Sequence, residues 1–194
     1  MSFNSKKTSP ESGFSYIDVM IAIVVMLVGV LAMASALTAN LIRSYETDKK
    51  IIAKQMALST IESIISARDI SRPGTIEGWD SVGNVGNNVV SGNAKGVFLN
   101  GWTPVREELG WDGVAGTADD GCPAGSSCNV SGRPPNTSAV IPGFERRIVI
   151  TDVTDAERPS PPNPITRRRI DVTVRYDVNG IVRDELVSTL ITDY

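Results

Sequence analysis

Residues 13–35 read GFSYIDVMIAIVVMLVGVLAMAS, and the apolar run that they open continues as far as Ile42. No charged residue occurs from Val19 to Ile42, and Val, Ile, Leu, Met and Ala dominate. As a helix, these residues would be about 36 Å long, whereas the hydrocarbon core of a bilayer is about 30 Å thick. A soluble helix rarely stays apolar on every face for so long, and we therefore predict a membrane-spanning helix.

The residues before Gly13 form a short basic leader that carries Lys6 and Lys7. Basic flanks remain cytoplasmic, so we expect the C-terminal bulk of the chain to be exported. A cleaved secretory signal has an apolar region of about 7–15 residues that ends at a small-residue cleavage site. Here the run is longer, and the small residues Ser12 and Gly13 precede it. Cleavage at this point would retain the helix, which would then begin at Phe14.

The sequence GFSYID (13–18), behind a basic leader and before an apolar run, resembles the class III signal of type IV pilins and type II secretion pseudopilins. The resemblance implies that prepilin peptidase cuts between Gly13 and Phe14 and that the new N-terminus at Phe14 is methylated. The family has glutamate at the fifth mature position, where this chain has Asp18. The resemblance also implies an assembly salt bridge between Asp18 and the amine of an adjacent subunit. The alternative is an interfacial acid without a role in assembly.

The helix is expected to continue beyond the membrane as far as Ile70, because residues 43–69 contain neither Gly nor Pro and are rich in helix formers. This part carries two apolar stripes on roughly opposite faces. We expect one to contact filament neighbours and the other to pack on the chain's own sheet. The first is Tyr45, Ile52 and Met56, and the second is Ala57, Leu58, Ile61, Ile64 and Ile65.

The last third of the chain shows the alternation of half-buried strands. Residues 169–178, RIDVTVRYDV, place five apolar side chains on one face. Asn179-Gly180 predicts a hairpin turn, with residues 181–192 as the returning strand. Residues 144–153 predict a third strand, and residues 97–99 a short one, whereas the proline-rich residues 155–166 are not expected to join a sheet. The apolar set is Ile170, Val172, Val174, Tyr176 and Val178.

The predicted fold class is α+β, with a long N-terminal membrane-spanning helix that continues into a C-terminal antiparallel sheet domain. The pilin family has the same order of elements, so the layout is pilin-like. We divide the chain into a removed leader (1–13), a transmembrane and assembly helix (14–42), the soluble half of that helix (43–70), a Gly-rich loop region (71–143) and an antiparallel sheet (144–194).

Two groups of loop residues are candidate sites. Cys122 and Cys128 bracket a loop of five residues, and two cysteines in an exported domain normally form a disulfide. The alternative, a metal site with two thiolates, lacks further ligands. The carboxylates of Asp112, Asp119 and Asp120 lie in a Gly-rich segment and suggest a Ca²⁺ site, with solvated turn acids as the alternative.

Composition argues against an enzyme. The chain has no histidine, which removes His-based acid–base catalysis and Ser-His triads, and no other pairing of nucleophile and base stands out. The net charge of −3 argues against a nucleic-acid partner, although three consecutive arginines occupy positions 167–169. Three tryptophans, Trp79, Trp102 and Trp111, either form a sugar-binding surface or anchor loops.

Within the pilin family, VGVL (28–31) and LSTIES (58–63) are most similar to PilV-type minor pilins. We therefore expect a structural subunit that is incorporated into or initiates a type IV pilus-like filament. Its expected partners are other pilins, prepilin peptidase and the inner-membrane assembly platform, and its expected place is the bacterial inner membrane with a periplasmic domain, then the filament. The alternatives are a type II secretion pseudopilin and a singly anchored periplasmic binding protein that does not polymerise.

Overall fold

The structure is a computed structural model that describes residues 13, 15–69, 78–87, 89–90, 93–107, 109–110, 112–120, 139–161 and 163–193. The chain forms two compact units, Met1–Tyr45 and Glu46–Tyr194, which we describe separately. Helix α1 (Tyr16–Asp69) has 54 residues and contributes to both units. The predicted first and last residues of this helix, Phe14 and Ile70, lie outside the described residues.

In the first unit, α1 presents its apolar side chains to the outside on every face. Each large apolar residue from Tyr16 to Ile42 is exposed, with exposed fractions from 45% to 78%. By length and composition, α1 is the one helix in the described part of the chain that is able to cross a membrane. The predicted apolar helix is thus confirmed as a helix whose surface no other described part of the first unit covers.

The second unit is built around a four-stranded antiparallel sheet in the order β3-β4-β5-β6. Strand β3 (Thr103–Arg106) is short, while β4 (Val140–Asp152), β5 (Arg167–Val178) and β6 (Ile181–Thr192) are long. The α+β layout and the three C-terminal strands are confirmed. The sheet also extends into residues 71–143, predicted as loops, because β3 and the first residues of β4 come from that range.

Two small elements precede β3 in the second unit. They are the short helix α2 (Gly78–Ser81) and a two-stranded antiparallel sheet of β1 (Val89–Val90) and β2 (Asn93–Ala94). The short strand predicted at residues 97–99 is wrong, since Phe98 makes only an isolated parallel bridge with Asn84. Phe98 is nevertheless fully buried, which explains why the apolar triplet resembled a strand.

The core lies between the inner face of the sheet and one face of α1. The five apolar side chains predicted to share a face of β5 are all buried, which confirms that strand's alternation. The prediction for α1 needs two corrections. Met56, which was assigned to the stripe that contacts filament neighbours, is partly buried and packs against the chain's own core, and Leu58 is 43% exposed. It lies about 100° around the helix from Ala57 and therefore outside the buried arc. That arc consists of Ala53, Ala57, Thr60, Ile61, Ile64 and Ala67.

The β5–β6 hairpin closes with Asn179 and Gly180, whose φ angles are 54° and 79°. Positive φ at both central residues identifies the predicted hairpin turn as type I′, which suits the right-handed twist of the strands. Two ion pairs join β6 to α1: Arg183 Nε lies 3.2 Å from Glu46 Oε1, and Lys50 Nζ lies 3.8 Å from Glu185 Oε2.

Asn84 completes the edge of β4 beyond the part that β3 covers. The β3–β4 pairing ends at Arg146, so the edge groups of Ile148 and Ile150 lack a strand partner there. The Asn84 side chain donates to the Ile148 carbonyl at 2.9 Å and accepts from the Ile150 N–H at 2.8 Å. The Asn84 side-chain amide thus takes the place of a residue in a neighbouring strand. It pairs two backbone groups at the edge of β4 that would otherwise be buried without hydrogen bonds.

We expect Asn84→Ala to lower the free energy of unfolding by about 2–4 kcal/mol, because it leaves one carbonyl and one N–H buried without partners. Unfolding of the detergent-solubilised chain in guanidinium, followed by tryptophan fluorescence, measures the change. Asn87→Ala is the matched control: Asn87 is exposed in the same segment, and its substitution should change stability by less than about 0.5 kcal/mol. Equal effects of the two substitutions would contradict the edge-pairing role.

Candidate processing and assembly site

The first turn of α1 is closed by a reciprocal pair of hydrogen bonds between Ser15 and Asp18. The Ser15 carbonyl accepts from the N–H groups of Asp18, at 2.9 Å, and Val19, at 3.4 Å. In return, the backbone N–H of Ser15 donates to Asp18 Oδ2 at 3.3 Å. Ser15 is therefore the N-cap residue, and Asp18 takes the position of the acid in a capping box.

This arrangement gives Asp18 a local role that the resemblance to pilins does not require. The carboxylate stabilises the start of the helix through the hydrogen bond and through the positive end of the helix dipole. An ionised carboxylate offers about four acceptor sites, so the cap leaves capacity for a second, cationic partner. The signal for this cap was present in the sequence as S-x-x-D immediately before the apolar run.

The predicted cleavage site lies just before this cap. Gly13 is exposed, and a Cβ placed on it would meet no atom within 4 Å. Phe14, the predicted methylated residue, lies outside the described residues. Cleavage and methylation therefore stay predictions, while the capped first turn of α1 begins two residues after the predicted cut.

The acidic segment that suggested Ca²⁺ uses its carboxylates to hold its own backbone. Asp112 Oδ1 accepts from the Val114 N–H at 2.7 Å, and Asp119 Oδ2 accepts from the Asp112 N–H at 3.2 Å. Asp120 Oδ2 accepts from the Gly116 N–H at 2.7 Å. Among the described residues, no three His, Cys, Asp or Glu side chains are grouped so that they could hold a metal ion. These hydrogen bonds favour the alternative, acids that organise their own turns, and the calcium site stays a prediction.

Asp120 also forms a buried ion pair that sequence reasoning missed. Arg146 Nη2 lies 2.7 Å from Asp120 Oδ2, and the two side chains are only 5% and 11% exposed. Arg146 Nη1 donates to Thr60 Oγ1 at 3.3 Å, so the guanidinium connects the acidic segment, β4 and α1. Burial raises the pKa of Asp120 and lowers the pKa of Arg146. The alternation of β4 carried the signal, because it places Arg146 on the same face as the buried Phe144 and Ile148.

The three consecutive arginines are all engaged within the chain. Arg168 is buried, and its guanidinium lies 4.4 Å from the centre of the Trp79 ring. It donates to the Val82 carbonyl at 2.8 Å and forms an ion pair with Asp152 at 2.9 Å. Its neighbours form more exposed ion pairs, Arg167 with Asp155 and Arg169 with Asp171. The run therefore does not present three unpaired cations, as a phosphate-binding surface would require.

The described tryptophans also anchor local structure. Trp79 Nε1 donates to the Ile165 carbonyl at 3.0 Å, while Trp102 lies 4.9 Å from the Arg147 guanidinium and 3.8 Å from that of Arg175. These contacts favour the loop-anchoring interpretation over a sugar-binding surface. Trp111, Cys122 and Cys128 lie outside the described residues, and the disulfide stays a prediction.

The buried pair generates a test of stability. Arg146→Met leaves the Asp120 carboxylate buried without its counter-ion and should destabilise the chain by about 3–5 kcal/mol. The double variant with Asp120→Asn removes the second charge but keeps an acceptor for the Gly116 N–H, so it should recover part of this loss. Guanidinium unfolding measures both. If the double variant is as unstable as the sum of the single variants, the two charges are not coupled.

Comparison with protein-family models, with curated proteins and with solved structures found no match to this chain. Its function therefore has to be inferred from its own residues. The features available are the GFSYID sequence at the N-terminus, the capped and exposed apolar helix behind it, and the ion-paired helix-on-sheet unit.

Proposed function

We propose that this chain is a non-enzymatic, membrane-anchored subunit of a type IV pilus-like filament, and within that class a minor pilin that is incorporated into or initiates the filament. The observation that carries the proposal is the position of GFSYID at the start of a helix that is exposed and apolar on every face as far as Ile42. The helix-on-sheet layout of the second unit supports it, since the same α1 also contributes the face that covers the sheet.

The exposed part of α1 needs a partner other than its own chain. Apolar side chains from Tyr16 to Ile42 would be in contact with water on all sides unless a bilayer or other helices surround them. A bilayer satisfies this need for a single subunit, because a helix pairs its own backbone groups internally. A bundle of such helices satisfies it in a filament. The same surface thus suits both storage in the membrane and assembly.

Asp18 supplies a reason for a fixed arrangement between subunits. A carboxylate in a membrane helix costs about 2.5–3.5 kcal/mol at the centre of the bilayer and less toward the ends. Cleavage after Gly13 would create an amine at Phe14, and the amine of an adjacent subunit would offset this cost by pairing with Asp18. A subunit in the wrong axial register would not make this pair.

The proposed location is the bacterial inner membrane, with Glu46–Tyr194 on the periplasmic side, and afterwards the filament. The basic leader and the apolar helix support it. Prepilin peptidase, other pilins and the inner-membrane assembly platform are its partners. A type II secretion pseudopilin would share all of the processing steps and would differ in the complex with which it co-purifies.

We expect the mature protein to lack residues 1–13 and to carry one additional methyl group at Phe14. Intact-mass analysis of the membrane-extracted chain measures both changes at once. Expression in cells that lack prepilin peptidase is the control and should give the full-length mass. An unprocessed chain in cells that possess the peptidase, or a cut after Ser35, would contradict the filament proposal and favour an anchored or secreted binding protein.

We expect Asp18→Ala and Asp18→Asn to be cleaved normally but to enter filaments roughly tenfold less well, because a charge-assisted hydrogen bond contributes about 1.5–3 kcal/mol and about 1.4 kcal/mol corresponds to tenfold. Asp18→Glu should be tolerated, and Asp18→Lys should fail through repulsion of the amine. Co-purification of tagged variants with sheared filaments measures incorporation.

Asp18→Asn is the informative member of this series. The asparagine oxygen still accepts a hydrogen bond from the Ser15 N–H, whereas the charge is absent. If Asp18→Asn assembles as well as the unmodified chain while Asp18→Ala does not, the helix cap is what assembly requires, and the intersubunit salt bridge is wrong.

A further inference from the structure

The tip of the β5–β6 hairpin presents two apolar side chains that the described part of the chain leaves more than half exposed. Ile181 and Val182 follow the turn directly and are 54% and 57% exposed. Successive residues of a strand point to opposite faces of a sheet, so the tip carries one apolar side chain on each face. A protein that docks flat against either face of the sheet would cover only one of them. Immersion in an apolar medium would cover both.

The ion pairs between α1 and β6 show which end of the second unit carries this tip. Lys50 pairs with Glu185, and Glu46, one helical turn nearer the N-terminus, pairs with Arg183. The hairpin tip of β6 therefore lies at the same end of the second unit as the first residues of its part of α1. Ile181 and Val182 lie immediately beyond Arg183, at the end of the unit where Glu46 is located.

Glu46 is close in sequence to the apolar run. It follows Ile42, the last residue of that run, by only four positions, and four residues span at most about 14 Å even when fully extended. Where the run crosses a bilayer, chain connectivity alone therefore keeps Glu46 within about 14 Å of the end of the run. Arg183, which follows Val182 directly, is ion-paired with Glu46, so the tip is within reach of a lipid surface.

The charges at this end are nearly balanced. Arg43, Lys49 and Lys50 follow the apolar run within eight positions, together with Glu46 and Asp48, so this segment keeps one excess positive charge, which favours anionic headgroups weakly. Lys49 lies 4.8 Å from the ring of Phe144, which keeps this cation at the same end of the sheet as the hairpin. The acid nearest the tip, Asp177, accepts a hydrogen bond from the Gly180 N–H at 3.2 Å and so stabilises the turn.

We propose that Ile181 and Val182 insert into a lipid surface, so that the sheet unit makes a bilayer contact of its own. This inference rests on the membrane anchoring in the proposed function. Two leucines farther along the same strand provide a comparison of equally exposed positions: Leu186 and Leu190 are 59% and 54% exposed. Leu190 is eight residues from Val182, or about 26 Å along the strand, and should remain outside the bilayer.

Photo-crosslinking of the full chain in vesicles of phosphatidylethanolamine and phosphatidylglycerol tests the proposal. Benzoylphenylalanine is placed singly at positions 181, 182, 190 and 26, all of which are exposed. Mass spectrometry then counts lipid adducts. We expect adducts at positions 181 and 182, and at least roughly tenfold fewer at position 190, which matches position 182 in exposure and in strand. The matched pair therefore separates closeness to lipid from exposure alone.

Position 26, in the middle of the apolar run, separates this inference from the proposed function. The inference is wrong if position 26 forms lipid adducts but positions 181 and 182 form no more of them than position 190. That result would leave the membrane anchor standing. A lack of adducts at position 26 would instead contradict the anchor itself. Crosslinks from the tip to protein in place of lipid would also overturn the inference.

Discussion

The buried arc of α1, from Ala53 to Ala67, is the contact on which the second unit depends. The inner face of the sheet carries Ile, Val and Tyr side chains from β5 that are almost completely buried, and α2, with four residues, is too short to cover them. Fully burying one large aliphatic side chain contributes about 1.5–3 kcal/mol. The unit therefore includes part of α1 in its core, and the alanines in the arc allow the helix to approach the strands closely.

Two buried arginines, Arg146 and Arg168, occupy positions on the inner face of the sheet that apolar side chains do not fill. Arg146 holds the acidic segment and α1 through Asp120 and Thr60. Arg168 holds α2 through Trp79 and the residue that follows α2, Val82. A buried guanidinium left unpaired would be strongly destabilising. Each arginine therefore requires its loop to adopt one position, which means that irregular segments are specified by charges in the sheet rather than by their own sequence patterns.

Much of the fold follows from periodicity, and the remainder depends on contacts between distant residues. The alternation of β5 and the Asn179-Gly180 turn predicted the hairpin because both are local signals. Strand β3 was missed because four residues that include Pro104 carry no usable period, and the strand exists only through its pairing with β4. Leu58 was assigned to the wrong face because an apolar residue at the border of a helical arc looks the same in sequence whether it is covered or not.

The candidate sites also combine features that local sequence indicates with features that depend on contacts between residues distant in sequence. Position and residue type predict a processing and assembly site at Gly13 and Asp18, to which the structure adds the hydrogen bond from Ser15. The calcium prediction for Asp112, Asp119 and Asp120 was made from carboxylates without knowledge of their partners. In the structure, those partners are backbone N–H groups and Arg146. A cluster of acids in a Gly-rich segment is equally compatible with binding a cation and with organising its own turns, and only the contacts distinguish the two.

The hydrogen bond from Ser15 to Asp18 changes how an acid at this position should be understood. An isolated carboxylate in an apolar helix is only a cost, which a neighbouring subunit would have to offset completely. A carboxylate that already accepts an N–H and faces the positive end of the helix dipole is partly stabilised before any partner arrives. Aspartate suits this local bond, because its short side chain stays close to its own first turn. In the proposed filament, the amine of an adjacent subunit would supply the remaining stabilisation, and the pair would add selectivity to an insertion that the single helix can sustain.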